Sequence, residues 1–306
     1  MARNIDKILF VTYLKNNDFN LNVCLLVSSI RTFAGRFSSC PIWVMIPKKY
    51  SEINVEMRNY LSSLEVHFAM YDIVEGMNEL PLTELIFASA TAEDLAKDSF
   101  DLLVWLDANT LIINEPNDFV LEEEKILGYR PVHHTLIGSI YSKPIDRFWK
   151  TLYKKFDISD NKLFSMETHI DGNTIRPYFN AGCIVTRPDK GILNTWRKKF
   201  LDFSYNEELE KFYKVDFLYK IFIHQAILTC TILTVVPKSQ LYELPFEYNF
   251  PIHLYNEMSS VDKPKDFKNF KTVRYEEKKD INLLLSKLDK YYSLWFEKNQ
   301  KILQNG

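Results

Sequence analysis

A carboxylate and a carboxamide two residues apart, Asp107 and Asn109, follow the apolar run Leu102-Leu103-Val104-Trp105-Leu106. A run without polar alternation reads as a strand buried on both faces, the pattern of a parallel sheet. In open α/β sheets ligands gather in the crevice outside the carboxyl ends of the strands. Asp107 therefore stands where a charge can meet a cleft open to solvent and ligand. The local alternative is that Asp107 caps a turn and Asn109 supports it, since Asx side chains bond their own backbone. A second polar intrusion is His224-Gln225, set in the apolar stretch 221–236. Two adjacent polar groups there need partners, from a buried network or from a cleft. His133-His134 has no metal-like partner spacing and reads as a loop pair.

The elements that must position these residues follow from periodicity. Residues 7–14 form a β-rich run, and 21–33 place Val23, Leu26, Val27, Ile30 and Phe33 at helical spacing. A strand bracketed by Pro41 and Pro47 follows, then a helix over 53–64, a strand over 65–71 and an Ala-rich helix over 82–97. That helix leads into the strand ending at Asp107. Strands alternating with helices predict a parallel sheet covered on both faces. Downstream the spacing predicts extended chain over 110–113, a strand over 125–130 and a helix over 145–156. The polar stretch 157–175 reads as a mobile loop or lid. A strand over 178–186, helices over 191–203 and 217–233, and a short strand over 234–237 complete the pattern. In the tail, Leu284, Leu285, Leu288, Tyr292 and Trp295 make an amphipathic helix. Acidic residues among its lysines favour packing on its own domain or a second subunit over a membrane surface.

Composition removes several classes. Acidic and basic residues nearly cancel, 40 against 38, which excludes a broad footprint for nucleic acid. Glycine is scarce at 8, with neither a Walker A pattern nor GxGxxG, against P-loop NTPases and Rossmann dehydrogenases. Cys24, Cys40, Cys183 and Cys230 lack CxxC spacing and read as buried free thiols of a reducing compartment. The N-terminal apolar run shows no cleavage-like site, and 221–236 falls short of the ~20 residues that span a bilayer. A soluble, cytoplasmic chain without a transmembrane segment is expected.

The order of signals resembles the GT-A glycosyltransferases, which move a sugar from a nucleotide-sugar donor. A Leu-Asp-x-Asp-Thr-like motif stands as Leu106-Asp107-Ala108-Asn109-Thr110, and Phe-Asn-Ala/Ser-Gly as Phe179-Asn180-Ala181-Gly182. An Asp/His-Gln pair is matched by His224-Gln225. Leu-Pro-x-x-Tyr-Asn followed by a His is matched by 244–249 and His253, and a looser Lys-Pro pair by Lys263-Pro264. The resemblance implies a Rossmann-type, mostly parallel sheet flanked by helices. Its nucleotide-binding half would span about 1–115 and its acceptor and sugar half about 116–275, with a helical extension over 276–306.

The resemblance also implies roles. Thr12 and Tyr13 would contact base and ribose, a Tyr stacking on the base with its hydroxyl wet. Arg31 is counted with them on the nucleotide, although a cation near a helix C-terminus is stabilised by the dipole alone. Asn180, Ala181 and Gly182 would let backbone approach the sugar ring, whose hydroxyls need fixed partners. Asp107, Asn109 and His253 would hold Mn²⁺ or Mg²⁺, which takes oxygen ligands and steadies the diphosphate leaving group. His224, with Gln225 beside it, would be the base toward the acceptor, with Glu167, His169 and Asp171 as rivals.

One departure matters: the second carboxylate of the motif is Asn109. The site loses a full charge, which leaves open a weaker metal site, metal-free transfer or binding without turnover. Glu115 is too distant along the chain to replace it locally, although folding can bring in another carboxylate. The expectation is a hexosyltransferase-type enzyme with a nucleotide-diphosphate sugar donor and an acceptor that is glycan, lipid or protein. A homodimer through the C-terminal helix accompanies it. The alternative is a catalytically weak or inactive binding protein or partner subunit. A sugar-1-phosphate nucleotidyltransferase is disfavoured, because 15–21 lacks the Gly/Arg-rich loop.

Overall fold

A computed structural model describes residues 5–18, 20–50, 52–259 and 263–304. The strands are β1 (Ile8–Tyr13), β2 (Ile42–Pro47), β3 (Val66–Tyr71), β4 (Leu102–Leu106), β5 (Thr110–Ile112), β6 (Leu127–Pro131), β7 (Met166–Glu167), β8 (Thr174–Ile175), β9 (Phe179–Thr186), β10 (Leu241–Glu243), β11 (Phe250–Pro251) and β12 (Thr272–Arg274). The helices are α1 (Leu21–Phe33), α2 (Val55–Ser63), α3 (Thr83–Ala96), α4 (Arg147–Lys155), α5 (Ile192–Phe203), α6 (Glu207–Val215), α7 (Phe217–Val235), α8 (Lys278–Leu285) and α9 (Lys290–Gln304).

The central sheet has seven strands in the order β10-β6-β9-β4-β1-β2-β3. All run one way except β9, which lies antiparallel between β4 and β6. The expected α/β architecture, a mostly parallel sheet flanked by helices, is therefore present. After building β1, β2 and β3 outward, the chain returns to place β4 on the other side of β1. That reversal is a topological switch point, where a crevice opens beyond the strand ends.

Both faces are buried because successive strand residues alternate sides. Phe10 and Val104 pack under α1 with Val27 and Ile30. Leu9, Val11 and Trp105 face the opposite layer, with Leu85, Trp196 and Ile227 from α3, α5 and α7. Helix α7 is apolar around its whole circumference because it lies in the middle of that layer, buried from Ile223 to Leu233. By length and composition it is the one described helix that could cross a membrane, yet most of it is buried inside the domain. All four cysteines are buried, and among the described residues none is joined in a disulfide.

Three local expectations are corrected. The stretch 157–175 is ordered: β7 pairs with β8, and the Asp171 carboxylate accepts the Thr135 N–H at 2.8 Å and the Thr168 hydroxyl. Of the short strand expected over 234–237, Thr234 and Val235 instead end α7 and Val236 is its extended C-cap. The Thr234 hydroxyl donates to the Cys230 carbonyl (2.7 Å), which makes the β-branched residue compatible with helix until Pro237. The tail is two helices, and its apolar face is already covered. Trp295 and Phe296 join Leu25, Phe250 and Val273 in a third cluster, the Trp295 indole N–H reaches Ser28 Oγ at 3.0 Å, and Tyr292 stacks on Phe33. That face thus packs on its own domain, one of the two coverings expected for it, while Tyr291 and Leu294 of α9 stay exposed.

A buried acid ties two helices of one layer together. Helix α5 starts at Gly191 without a side-chain cap, and Glu93 of α3 accepts the N–H groups of Leu193 (3.0 Å) and Asn194 (2.8 Å) instead. Burial outweighs these hydrogen bonds and pushes the Glu93 carboxyl up to about 7. Between the ordinary carboxylate value and 7, folded chain keeps a proton that unfolded chain has released. Stability from this group is thus highest at the acid end of that window and falls as pH rises through it. Glu93→Gln should flatten the decline in Tm between about pH 5 and about pH 8; parallel slopes for both proteins would place the dependence elsewhere.

Candidate active site

Two pairings assemble the site. Because β9 runs against β4, its beginning lies at the carboxyl end of β4: Leu106 stands opposite Cys183, and the Asp107 N–H donates to the Gly182 carbonyl at 2.8 Å. The sequence Asn180-Ala181-Gly182 is thus laid beside Asp107. In a separate three-stranded sheet, β12 runs antiparallel to β5, with Arg274 opposite Thr110 and the Tyr275 N–H on the Asn109 carbonyl (3.0 Å). Period two sends Arg274 and Glu276 to one side and Tyr275 to the other.

The charges then meet. Arg274 Nη1 donates to Asp107 Oδ2 at 3.1 Å, while Nε and Nη2 both donate to Glu276 Oε1, at 3.1 and 2.9 Å. The side chains of Arg274 and Asp107 are 21% and 16% exposed, so the pair is sheltered from solvent screening. Burial works against the guanidinium's charge, but Asp107 and Glu276 outweigh it and raise its proton affinity. Glu276 itself is anchored through its N–H, which Asp280 Oδ2 accepts at 3.0 Å at the start of α8. Asn109 completes the cluster: its Nδ2 donates to Glu276 Oε2 (3.1 Å) and its Oδ1 accepts from Asn22 Nδ2 (2.8 Å). A carboxylate only accepts hydrogen bonds, so Glu276 dictates which way this amide turns.

Two cavities open on either side of the cluster and share Leu82, Asp107, Arg274 and Glu276 as walls. One, of about 220 Å³, carries Asn180, Gly182, His224, Gln225, His133 and His253. The other, of about 300 Å³, lies at the end of β1 and the start of α1, with Tyr13, Lys15, Asn20, Asn22 and Asn109.

A family model described as the Rhodobacterales glycosyltransferase domain matches residues 9–228, which include all of β1 but its first residue, and Asp107, Asn180 and Gln225. The chain belongs to this glycosyltransferase family. No curated protein matches it by sequence. Among solved structures, the galactosyltransferase LgtC in complex with donor and acceptor sugar analogs is 15% identical. It aligns over 97% of this chain and 95% of its own, with a TM-score of 0.51. Mouse xyloside xylosyltransferase 1, in its apo form, is 11% identical over 87% and 96%, with a TM-score of 0.46. At such identities the likeness to LgtC speaks for the GT-A fold alone.

Within this glycosyltransferase the anticipated residues separate. Asp107, Asn180, Ala181, Gly182, His224, Gln225 and His253 all line the first cavity, and Tyr13, Asp107 and Asn109 the second. Gln225 acts as a strut, its Oε1 accepting the Ala181 N–H at 3.0 Å. His224 turns Nδ1 to the Ile221 carbonyl (2.8 Å), and burial lowers its pKa to about 4, so it is neutral and a weak base. Tyr13 differs from expectation: its ring stacks on Trp105 (5.5 Å) in the core layer, and its hydroxyl is buried without a hydrogen-bond partner among the described residues. Thr12 points to the opposite side of β1, buried with Phe10 and Leu14, and lines neither cavity. Arg31 sits at the far end of α1, where the carbonyls of Leu64, Ser38, Cys40 and Glu65 occupy its guanidinium. Of the rival bases, Asp171 is committed to its hairpin and His169 to Arg130, while Glu167 lies exposed on β7; none of the three lines either cavity.

The divalent ion that the GT-A fold implies does not fit these donors. Asp107 is ion-paired to Arg274, the Asn109 oxygen is engaged by Asn22, and His253 lines only the first cavity while Asn109 lines only the second. Among the described residues no three His, Cys, Asp or Glu side chains are grouped as ligands. Arg274, Glu276, His133 and Asn22 escaped sequence reasoning. The alternation Thr272-Val273-Arg274-Tyr275-Glu276 was the available signal, and it does not reveal which strand it pairs with.

Gly182 is required sterically: a Cβ there would lie 2.7 Å from Arg274 Nη1 and 3.1 Å from Asn180 Oδ1. Gly182→Ala should push the guanidinium off Asp107 and cost about 1–3 kcal/mol, as overpacking does. Urea denaturation checks this; a variant as stable as the parent would mean that Arg274 moves freely.

Proposed function

We propose that this glycosyltransferase moves a hexose from a nucleoside-diphosphate sugar to an acceptor hydroxyl. The observation that carries the reading is the pair of cavities joined along the Asp107–Arg274–Glu276 wall. A nucleotide sugar has the same three parts: a nucleoside, an anionic middle and a polar ring. The nucleoside suits the cavity at the end of β1, beside Lys15, Asn20 and Asn22. The hexose suits the cavity with Asn180, His224 and Gln225, where the neutral His224 accepts a ring hydroxyl through Nε2. The diphosphate then lies over the shared wall.

In the reaction the bond from the anomeric carbon to the diphosphate oxygen breaks, taking its electron pair to the leaving group. The acceptor oxygen bonds to that carbon and loses its proton to water or a nearby base. The chain's contribution is to hold donor and acceptor in register and exclude water. Lowered proton affinity makes His224 a better hydrogen-bond acceptor for positioning than a proton sink.

A thermal-shift panel of UDP, GDP, CDP and ADP with their hexose conjugates tests the reading. One base series should raise Tm, by the equivalent of about 2.7 kcal/mol at a hundredfold excess over Kd. Asn180→Ala should keep the effect of the diphosphate and lose the extra effect of its hexose. If no nucleotide or nucleotide sugar in the panel stabilises the protein, the reading fails.

A further inference from the structure

We propose that Arg274 does the work of a divalent cation, so that donor binding by this chain needs no metal. The inference rests on the nucleotide-sugar reading and names the group that meets the diphosphate. A guanidinium has five N–H donors. Three are engaged by Asp107 and Glu276, and five minus three leaves two, one on each terminal nitrogen, without a partner among the described residues. Arg274 is at the wall shared by both cavities, where a ligand spanning them must pass. Its planar fork is fixed by the two carboxylates and made room for by Gly182, so little freedom is lost when it grips an oxyanion.

The charge count explains Asn109. With a carboxylate at 109, three acids would surround one guanidinium, and a second cation would be needed before a diphosphate could approach. With the neutral amide, Asp107 and Glu276 face Arg274, and Lys15 in the nucleoside cavity supplies a second positive charge. The first turn of α1 has no acidic residue, and Asn20 and Asn22 at that end of the helix line the same cavity. The amide that weakens the metal motif is the substitution that lets an arginine serve in place of the ion.

Calorimetric titration with UDP, GDP, CDP and ADP, in EDTA and again in Mn²⁺, separates the outcomes. The wild-type chain should bind one of them equally in both media. Arg274→Ala should weaken that diphosphate about tenfold or more in EDTA, with a smaller effect on the matching nucleoside. The double substitution Asn109→Asp with Arg274→Ala leaves carboxylates at 107, 109 and 276 without the arginine, and it should regain affinity only when Mn²⁺ is added. Wild-type binding that requires Mn²⁺ overturns this proposal and leaves the nucleotide-sugar reading standing, whatever the variants do. Arg274→Ala binding as tightly as wild type in EDTA also overturns it. No binding by wild type in either medium overturns both.

Discussion

The ion pair between Asp107 and Arg274 is the interaction on which the rest of the site depends. Its partners are 167 residues apart in the chain, and at 3.1 Å they join the main sheet to the small sheet of β5, β11 and β12. A partly desolvated charge is tolerated only when its partner and hydrogen bonds are in place. Several features of the molecule serve that requirement: Glu276 on the other side of the guanidinium, Asp280 holding the Glu276 backbone, and a glycine where any Cβ would collide with Nη1. Each is a small local choice that makes sense only once the pair exists.

Two arginines show how the same side chain acquires different meanings. Arg31 stands at a helix C-terminus, and backbone carbonyls take four of the five N–H donors of its guanidinium, which ties α1 to the loops around residues 38–40 and 64–65. It is a structural clamp. Arg274 is anchored by two carboxylates and keeps donors free at the junction of two cavities. Neither side chain is distinguished by its neighbours in sequence. What separates them is the set of acceptors the fold brings to each, and only an unsaturated cation in a cleft can meet a ligand.

The strand that breaks the parallel rule matters as much. Had β9 run with its neighbours, its end would have reached the crevice and its Asn-Ala-Gly beginning would have been carried to the opposite edge. Running antiparallel, it places a small-residue backbone directly beside Asp107, with Gln225 of α7 bracing the Ala181 N–H. The cavity for a sugar ring is therefore a consequence of sheet direction. The buried helix α7 and the Glu93 cap on α5 hold the layer behind it.

Much was legible from residue order alone. Uniformly apolar runs marked β1, β2 and β4 because burial on both faces leaves no polar alternation, and helical spacing marked α1, α3 and α7. The abrupt change from Leu106 to Asp107 identified the strand end, two polar groups in an apolar helix marked His224 and Gln225 as needing partners, and the resemblance singled out Asn180; all three line the first cavity. Where local pattern misled, a nonlocal contact decided: 157–175 is polar yet held by Asp171 on the Thr135 N–H as well as by its own hairpin, and Thr12 and Tyr13 are adjacent yet face opposite layers, Tyr13 stacked on Trp105. The partner of Asp107 was beyond sequence reasoning. Periodicity tells which residues share a face, but the pairing of β12 with β5 depends on closing a loop of more than a hundred residues, and nothing in either strand's pattern specifies it. Sequence by itself determined the layers and the acid at the strand end; tertiary structure decided that an arginine and a glutamate, rather than a second motif carboxylate, complete its surroundings.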